Sequence, residues 1–583
     1  MLAHRSLGII GLLASAVTGF PTLYPRQDAV GNTSIITAGV SGEIGIRQEI
    51  HTLQSDKDAW NIYLLGLQGF KNMDSTDPMS YYQIAGIHGQ PYVPWNDVGP
   101  CSNCTLAGYC THQSTLFPTW LRTYLALFEQ SLAANVMAVA HGFDGADKER
   151  YLAKANILRM PYWDWARASA EGENPFPQIF SAATVTVHMP SGMQNVTNSL
   201  IKYSFKDGED SSFLGPNIRE TTRKPTFTTS NRQQLRSDLW TLLSSQQAYD
   251  AFSTEALLPG ADNFNPLSLE GLHDSIHVWT GGQMGIVPQA AFDPVFWLHH
   301  AMVDNIFASW QEVRPNEWSE QWAEVGATMT YASGTVQSGS SSLTPFHKSA
   351  GKYWTSDAVR DTQTFNYRYA DLASGQGAAS IVNSLYRDSE PEMTVRKRAL
   401  DLDIRGLNVS QYINDVMNPK PGSTCREYVA NIQVDSMEMA GSFTVFLFAG
   451  PFDETNPGGW YEEKSMIGAH GFFSSPESTG HGSALVNAGA TITDSLLLNK
   501  AAGMLDDLTH GAATAFLKEC IEWRIVKAYG TVLDEDDVPG LEVTIMTAEV
   551  QVPGYHYQMP SWGAFKPLTE ITSGKRDGLG WTR

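Results

Sequence analysis

Three histidines in the second half of the chain have the spacing of a metal site. His273 and His277 stand four residues apart in LHDSIHVWTGG, and His300 follows in DPVFWLHH. Residues four apart on a helix share one face, so the first two imidazoles can hold the same ion. A third imidazole from a neighbouring helix completes a set of three nitrogen ligands with an open fourth position, as in catalytic zinc and copper centres. The sequence therefore predicts a catalytic metal site here.

Two histidines further upstream resemble a second site that is incomplete. His88 lies in GIHGQP and His112 in GYCTH. In the segment WLRTY that follows, Leu121 occupies the position that a third histidine would need. A hydrocarbon side chain has no lone pair, so this first site keeps two imidazoles and loses both affinity and geometry. The sequence therefore predicts one complete and one incomplete set of metal ligands.

The chain has five cysteines, an odd number, so at least one of them cannot form a disulfide bond within the chain. The spacing allows two pairs, Cys101 with Cys104 and Cys425 with Cys520. Cys110 is then left free, two residues before the second histidine of the first site, and a C-x-H step is short enough for sulfur and imidazole to meet. The alternative interpretation is a buried thiol without a special role.

Acidic residues dominate the charge of the chain. The chain has 39 Lys and Arg residues and 61 Asp and Glu residues, which gives a formal net charge of -22. Nucleic acids and anionic membranes are bound by clustered Lys and Arg side chains. We therefore expect neither of them as a partner.

The first 19 residues predict a secretory signal peptide. His4 and Arg5 precede an apolar run from Leu7 to Val17, and small residues follow it. The run is too short and too early in the chain for a membrane span. Four N-x-S/T sequons fit an exported glycoprotein, at Asn32, Asn103, Asn195 and Asn408. We expect secretion or a secretory compartment, the alternative being an uncleaved apolar N-terminus.

Residues from about 40 to 320 have the periodicity of helices. Large apolar residues recur at helical spacing in TWLRTYLALFEQSL, at Trp120, Tyr124, Leu127 and Phe128. A second stripe consists of His300, Val303, Phe307 and Trp310. This pattern predicts that His300 lies near the start of a helix and points inward. Pro118 and Pro294 are expected just before the two helices, where proline is tolerated.

The periodicity changes to two after a basic, proline-rich connection. The connection begins with Arg396, Lys397 and Arg398, which also form a candidate processing site. Strands are predicted in ANIQVDSM, GSFTVFLFAG and LEVTIMTAEVQVP, which together favour a β-sandwich. The predicted architecture is a mainly α helix-bundle metal-binding core at residues 20–395, a linker at 396–422, and a β-rich C-terminal domain with a surface tail at 423–583.

The motifs together resemble a known family. GIHG, YCTHQSTLFPTW, MPYWDWA, LHDSIHVWTGG, DPVFWLHHAMVD and a later YRY are similar to segments of the tyrosinase, catechol oxidase and hemocyanin family of type 3 copper proteins, in its fungal form. The resemblance covers residues from about 45 to 370, and the region after 420 resembles the C-terminal domain that many members carry. It implies that three histidines hold each of two coppers, which use dioxygen to oxidise phenols.

The resemblance also implies roles for single residues. It implies metal ligation by His273, His277 and His300 at the second site and by His88 and His112 at the first. A thioether between Cys110 and His112 is usual in the family, and Arg47 is expected to pair with the corner formed by Tyr367 and Tyr369. Asp304, one turn after the third ligand, either orients a ligand or caps a helix. His299 is expected to be structural.

Leu121 departs from the family pattern, and one group within the resemblance fits this departure. The hemocyanin-like cyclopenases of fungal quinolone alkaloid pathways are similar in fold but zinc-dependent and non-oxidative. They contract a cyclopenin-type benzodiazepinedione epoxide to a viridicatin-type quinolone and expel methyl isocyanate. The first hypothesis from the sequence is therefore a lyase with one zinc ion on the complete site, acting as a Lewis acid on a small aromatic substrate.

Two residues are candidates for catalysis in this hypothesis. Asp274 stands where the H-E-x-x-H motif of zinc peptidases has a longer glutamate, which disfavours a peptidase. The same carboxylate is the candidate for proton handling, its alternative role being a surface or ligand-orienting group. Phe296 and Trp279 are expected to form the walls of a pocket for an aryl group, unless each belongs only to the core.

Two rival hypotheses remain open at the level of sequence. The first is a copper-dependent catechol oxidase or tyrosinase whose first site recruits another histidine, such as His141 or His188, in place of residue 121. The second is a non-catalytic binding or storage protein that holds one ion. The fold alone does not decide between them, because one fold supports many functions.

Overall fold

The structure of the chain is a computed structural model. It describes residues 34–102, 104, 107–168, 173–246, 248–257, 265–387, 420–436, 439–475, 485–534 and 537–581. The predicted signal peptide, three of the four sequons and the basic run at 396–398 lie outside the described residues. Asn195, the remaining sequon, is exposed on a short strand.

The N-terminal domain is a bundle of helices around one apolar core, as the sequence predicted. Its helices are α1 (Ile50–Ser55), α2 (Lys57–Asn72), α3 (Tyr81–His88), α4 (Phe117–His141), α5 (Gly145–Ile157), α6 (Thr229–Ser245), α7 (Tyr249–Ser253), α8 (Leu269–Thr280), α9 (Pro294–Val313), α10 (Ala370–Ala373) and α11 (Ala378–Val382). All residues of α8 are buried, and most of α4 and α9 is buried too. Helices that are apolar on every side belong at the centre of a large domain.

Short β-strands also belong to this domain. They are β1 (Gly45–Arg47), β2 (Thr184–Met189), β3 (Gly192–Thr197), β4 (Trp322–Ala323), β5 (Val336–Gln337), β6 (Ser342–Ser349), β7 (Lys352–Thr355) and β8 (Tyr367–Tyr369). The parallel pair β1 and β8 places Arg47 opposite Tyr369. The predicted prolines are within the first turns of α4 and α9 and not before them, where the missing N–H is equally harmless.

The C-terminal domain consists of two sheets that share a second core, as predicted. Its elements are β9 (Thr424–Asp435), β10 (Phe443–Ala449), β11 (Met466–Phe472), β12 (Leu485–Thr491), α12 (Thr493–Ala501), α13 (His510–Cys520), β13 (Ile521–Lys527), β14 (Val532–Leu533), β15 (Glu542–Gln551), β16 (Ser561–Trp562), β17 (Lys566–Pro567) and α14 (Thr569–Thr572). The strand orders are β11-β10-β13-β14 and β12-β9-β15-β16, with β17 also paired to β15. The predicted surface tail therefore contributes strands to the second sheet.

One strand of the C-terminal domain lies directly against the helix that carries two of the metal ligands. The backbone N–H of Gly471, in β11, donates to Ser275 Oγ in α8 at 3.1 Å. A Cβ atom at Gly471 would lie 2.9 Å from the Cβ of Val278, closer than side chains pack. The glycine therefore permits the close approach of the two domains at the metal site.

Of the two predicted cysteine pairs, one forms a disulfide bond and the other does not. Cys101 and Cys104 form a disulfide bond, and Cys110 is a free buried cysteine. The predicted pair of Cys425 and Cys520 is wrong, because both are free. Cys425 lies in β9, whereas Cys520 ends α13 and leads into β13 of the other sheet. Within the described residues, no helix has the length and apolar character that crossing a bilayer requires.

A buried cluster of charges joins α4, α9 and the paired strands β1 and β8. Asp304 of α9 binds Arg122 Nε through Oδ1 at 2.6 Å and Arg47 Nη1 through Oδ2 at 3.1 Å. The hydroxyls of Tyr367 and Tyr369 also donate to Oδ2, and the Arg47 guanidinium lies 3.6 Å from the centre of the Tyr367 ring. The expected Arg47 pairing is confirmed. Asp304 neither caps a helix nor contacts a metal ligand but holds three elements together.

The charge cluster predicts a large loss of stability on Asp304→Asn. Burial alone would raise the pKa of Asp304, but Arg122 and Arg47 outweigh it and hold this pKa below its ordinary 3.8. Removing one member of a buried ion pair costs about 3–5 kcal/mol. In this variant Arg122 stays buried without a carboxylate partner, whereas Arg47 keeps its ion pair with Glu129. We expect this loss in denaturant unfolding at neutral pH. Asp506→Asn, which changes an exposed carboxylate, is the matched control and should unfold as the wild type does.

The stability difference between the wild type and this variant should depend on pH. A carboxylate with a lowered pKa contributes stability above its unfolded-state pKa and loses that contribution as the pH falls through its folded-state value. The difference between wild type and Asp304→Asn should therefore be full at neutral pH and shrink below about pH 3.8. A difference that stays constant with acidification would contradict the ionised state of Asp304.

Candidate metal centre

The complete site is built on α8 and α9. Ser268 caps α8 by accepting from the N–H of Gly271, and Asp293 caps α9 by accepting from the N–H of Val295. The helical repeat then turns His273 and His277 to one side of α8, and the first two turns of α9 bring His300 opposite them. The three imidazoles are fully buried. The ligand set predicted from the sequence comes together in the structure, in the positions that the spacing implied.

Hydrogen bonds fix the orientation of two of these rings. Nδ1 of His277 donates to the carbonyl oxygen of Met284 at 2.8 Å, and Nδ1 of His273 hydrogen-bonds Asp274 Oδ1 at 2.9 Å. Each ring therefore has Nε2 left for an ion, which is how carboxylates and carbonyls orient metal-binding histidines. His277 Nε2 lies 3.1 Å from His300 Nε2, and His273 Nε2 has no hydrogen-bond partner. Three convergent imidazole nitrogens fit zinc or copper.

Burial keeps these imidazoles neutral. The pKa values of His273, His277 and His300 all lie well below the ordinary 6.5, because burial penalises the charged ring and the neighbouring imidazoles add repulsion. A neutral imidazole is the form that binds a metal, so no proton competes at neutral pH.

A fourth histidine belongs to the same cluster, although the sequence predicted a structural role for it. His299 lies within reach of the three ligands, and its ring stacks on that of His273 with centroids 5.1 Å apart. Both of its ring nitrogens are buried without a hydrogen-bond partner. The pair of adjacent histidines in WLHH was the signal, but sequence spacing cannot tell which of the two points at the ion.

The incomplete site lies where three segments meet. His88 is the last residue of α3, and the irregular segment before α4 carries Cys110 and His112. Ligand atoms of these three residues lie within 4.8 Å of one another, and Cys110 Sγ is 3.7 Å from His112 Nε2. The ring nitrogens of His88 make no close hydrogen bond, although the Val287 backbone lies near the ring and the residue is only 2% exposed. Buried polar atoms without partners are rare, and an ion would satisfy them.

Leu121 faces this incomplete site from α4. It lies one turn after Phe117 and one turn before Tyr124, and so shares their face of the helix. The ring of Phe117 is 6.0 Å from that of His112, and the ring of Tyr124 is 6.5 Å from that of His88. The side chain at 121 is buried at 1% exposure. The helix face that carries Leu121 therefore borders the incomplete site, and the loss of an imidazole ligand at this position stays a prediction.

The two histidine clusters adjoin. Ring centroids are 5.9 Å apart for His112 and His273, and 6.4 Å apart for His88 and His300. Phe296 lies between the clusters, with its ring 3.9 Å from that of His300 and 5.0 Å from that of His88. Ions held by the two clusters would therefore share one space, with one aromatic wall.

The C-terminal domain closes the site with Phe473, a residue that sequence reasoning missed. Its ring stacks on His277 with centroids 4.1 Å apart and an interplanar angle of 7°, and it also lies 5.9 Å from the ring of His112. The backbone N–H of Phe473 donates to Asp274 Oδ2. Both oxygens of Asp274 are thus engaged, one with a metal ligand and one with the covering strand. Because Phe473 follows β11, only the docking of the two domains reveals it.

The candidate residues Asp274, Phe296 and Trp279 lie in different surroundings. Asp274 is buried, and its pKa is raised well above 3.8 by burial and by the neighbouring Glu255 and Glu270. The carboxyl group can therefore hold a proton, but it contacts His273 and Phe473 and does not face open space. Phe296 forms a wall of the site, as predicted. Trp279 packs against Phe227 (6.3 Å) on a different face of α8 from His277, so the expectation of a second wall there is wrong.

The two histidines considered as replacements for residue 121 lie elsewhere. His141 is exposed at the last residue of α4, and His188, on β2, hydrogen-bonds the hydroxyl of Tyr151 at 3.0 Å. Among the described residues, the groups with metal-ligand spacing are the histidine cluster of α8 and α9 and the set of His88, Cys110 and His112. Neither alternative histidine belongs to them.

Comparison with known proteins supports the same assignment of domains. A family profile described as the common central domain of tyrosinase matches residues 78–313, and one described as the tyrosinase C-terminal domain matches residues 427–545. A tyrosinase from Podospora anserina is 32% identical over 519 residues, covering 78% of this chain and 88% of the relative. A tyrosinase from Neurospora crassa is 27% identical, covering 93% and 97%. A solved structure of a mushroom tyrosinase superimposes on this chain with a TM-score of 0.74 at 25% sequence identity. The superposition covers 91% of this chain and 98% of the mushroom chain.

The covering ring predicts a change in access to the site. Phe473→Ala removes the ring stacked on His277, so a chelator such as EDTA should strip metal from the loaded protein faster than from the wild type. The matched control is Phe472→Ala, because the ring of Phe472 points to the other core, against Phe443. Both variants should lose about 3–5 kcal/mol of stability, but only the first should change the stripping rate. Equal rates for the two variants would contradict a covering role.

Proposed function

This chain belongs to the tyrosinase family, and on that premise we propose that it is a copper-dependent oxidase of small phenols. The observation that carries the proposal is that the two clusters of imidazoles meet around one shared space, with His112 facing His273 and His88 facing His300. Metal pairs that act on one substrate need this kind of convergence. The names of the relatives, which are tyrosinases and polyphenol oxidases, support the same reaction class.

The chain's own residues support an aromatic substrate. The face of His277 accepts the flat ring of Phe473 at stacking distance. A phenol has the same shape and would find the same surface once Phe473 has moved, with Phe296 as the second wall. Hydrogen bonds to Asp274 and to the Met284 carbonyl fix the orientation of the imidazole rings of His273 and His277. Bound copper would supply the electron transfer between the phenol and dioxygen.

The closure by Phe473 has a consequence for when the site can work. The complete site is buried in the described structure, so substrate needs the C-terminal domain to withdraw locally from α8. Two backbone hydrogen bonds join β11 and Phe473 to α8, from Phe473 N–H to Asp274 and from Gly471 N–H to Ser275. Other hydrogen bonds join the domain to α6, such as those of Ala469 with Gln234 and of Thr491 with Asp238, so the movement proposed here is local to α8. An assay of the proposed activity therefore uses both the wild type and Phe473→Ala.

A second candidate function is favoured by one observation, the hydrocarbon at position 121. If a single zinc ion binds to His273, His277 and His300, the site becomes a Lewis acid without redox chemistry. The ion would then stabilise negative charge on a carbonyl or epoxide oxygen, as a ring-contracting lyase of the cyclopenase type requires. The relatives' names favour the oxidase, so the lyase stands second.

Elemental analysis combined with oxygen uptake tests the two proposals. The oxidase predicts bound copper and oxygen consumption that depends on catechol, in Phe473→Ala at least. His273→Ala should lower the rate by about 100-fold or more, because even partners of metal ligands cost 10–100-fold when they are lost. His141→Ala, an exposed histidine on α4, is the control and should retain the full rate.

The opposite outcome is equally definite. One zinc ion per chain, with no oxygen uptake after loading with copper, would contradict the oxidase. Turnover of a cyclopenin-type epoxide by that zinc form would then support the lyase. Metal binding without turnover of either substrate class would favour a binding protein.

A further inference from the structure

We propose that Cys110 is the third protein ligand of the first metal site, so that His88, Cys110 and His112 form a mixed site with two imidazoles and one thiolate. The inference deepens the proposed function and rests on its premise that both clusters bind metal. It makes the two halves of the centre chemically different, with two nitrogens and one sulfur on one side and three nitrogens on the other.

Leu121 leaves the first site without a ligand from α4. This residue lies between Phe117 and Tyr124 on the face of α4 that borders both imidazoles. Its side chain offers no lone pair, so α4 contributes no donor from this position. Two imidazoles alone leave an ion short of the three protein ligands that catalytic centres commonly use.

The sulfur of Cys110 lies beside the imidazole of His112, two residues further along the chain. Sγ lies 3.7 Å from His112 Nε2, and ligand atoms of the three residues lie within 4.8 Å of one another. An ion about 2.0–2.3 Å from each ligand atom fits between atoms at such separations with small side-chain adjustments.

The surroundings of His88 point to a ligand that the protein chain itself does not supply. Its ring is buried and its nitrogens make no close hydrogen bond, although the backbone of Val287 lies near the ring. Cys110 is only 8% exposed, so its sulfur is also shielded from solvent. A cation bound at the site would be coordinated by the thiolate, because a coordinating thiol gives up its proton.

The sulfur has one competing fate, a thioether to His112. Forming that bond joins Sγ to a ring carbon and removes the S–H and C–H hydrogens with two electrons, which an oxidant must take up. The product sulfur carries no charge and cannot serve as the anionic ligand. A thiolate ligand needs no oxidant, only the loss of one proton to solvent when the ion binds. The two fates therefore differ in mass and in spectrum.

A site with two imidazoles and one thiolate has recognisable properties. Soft thiolate sulfur favours zinc and copper over harder ions, and a trigonal set of two histidines and one cysteine occurs in electron-transfer copper sites. We expect the first site to bind Cu(II) or Co(II) with an intense sulfur-to-metal charge-transfer absorption. The second site contains no sulfur ligand, so the absorption reports on the first site alone.

The experiment uses the full-length protein, reduced and then loaded with Co(II) or Cu(II). The wild type should bind two ions per chain, show the charge-transfer absorption, and protect one thiol from a disulfide reagent only when metal is present. Cys110→Ala should bind one ion and lose both the absorption and the protected thiol. Cys425→Ala, which removes a half-buried thiol of the C-terminal domain, is the matched control and should behave as the wild type does.

A rescue variant separates ligation from damage to the fold. Leu121→His combined with Cys110→Ala restores three imidazoles to the first site, so the second ion should return without the sulfur absorption. If Cys110→Ala misfolds, Cys110→Ser and the absorption of the wild type itself still decide the matter. A His273→Ala variant that loses one ion but keeps the absorption shows that the two sites are independent.

Three outcomes would overturn the inference. The first is two ions in the wild type without a charge-transfer absorption, and the second is an unchanged ion count and absorption in Cys110→Ala. The third is a peptide in which Cys110 and His112 are cross-linked with the loss of two hydrogens. Each of these leaves the proposed oxidase intact, provided that His273→Ala still abolishes metal binding at the second site. Failure of both sites to bind metal would instead refute the proposed function.

Discussion

The ion cluster around Asp304 is the constraint on which the geometry of the metal centre depends. One carboxylate receives Arg47 from β1, Arg122 from α4 and the two tyrosine hydroxyls of β8. Arg122 follows Leu121, and Asp304 stands one turn after His300. The cluster thus holds the residue that replaces a ligand and the third ligand of the complete site at a fixed separation. Arg47 also pairs with the buried Glu129, so two arginines balance two carboxylates, and the loss of any one of these four would leave a buried charge uncompensated.

The two halves of the centre differ in how their donors are held. On α8 the ligands come from one helix face, and their rings are fixed by Asp274 and the Met284 carbonyl. In the first half the donors come from the end of α3 and an irregular segment, and the ring of His88 makes no close hydrogen bond beyond the nearby Val287 backbone. An ion would therefore organise the first half more than the second.

The C-terminal domain is part of the centre as well as a separate fold. Its own core lies between two sheets, yet β11 and Phe473 reach α8 and the imidazoles. Asp274 binds a ligand and the covering strand at the same time, so the position of the domain and the orientation of His273 are mechanically linked.

The sequence alone indicated the histidine cluster of α8 and α9, the buried helices and the change to strands after residue 420, because each depends on local periodicity. The motifs also implied the Arg47 contact with the tyrosine corner. Only the tertiary structure decided that Phe473 covers His277, that His299 joins the cluster, and that Cys425 and Cys520 stay apart in different sheets. These facts depend on how distant segments pack, and spacing along a chain carries no distance between elements that meet only after folding.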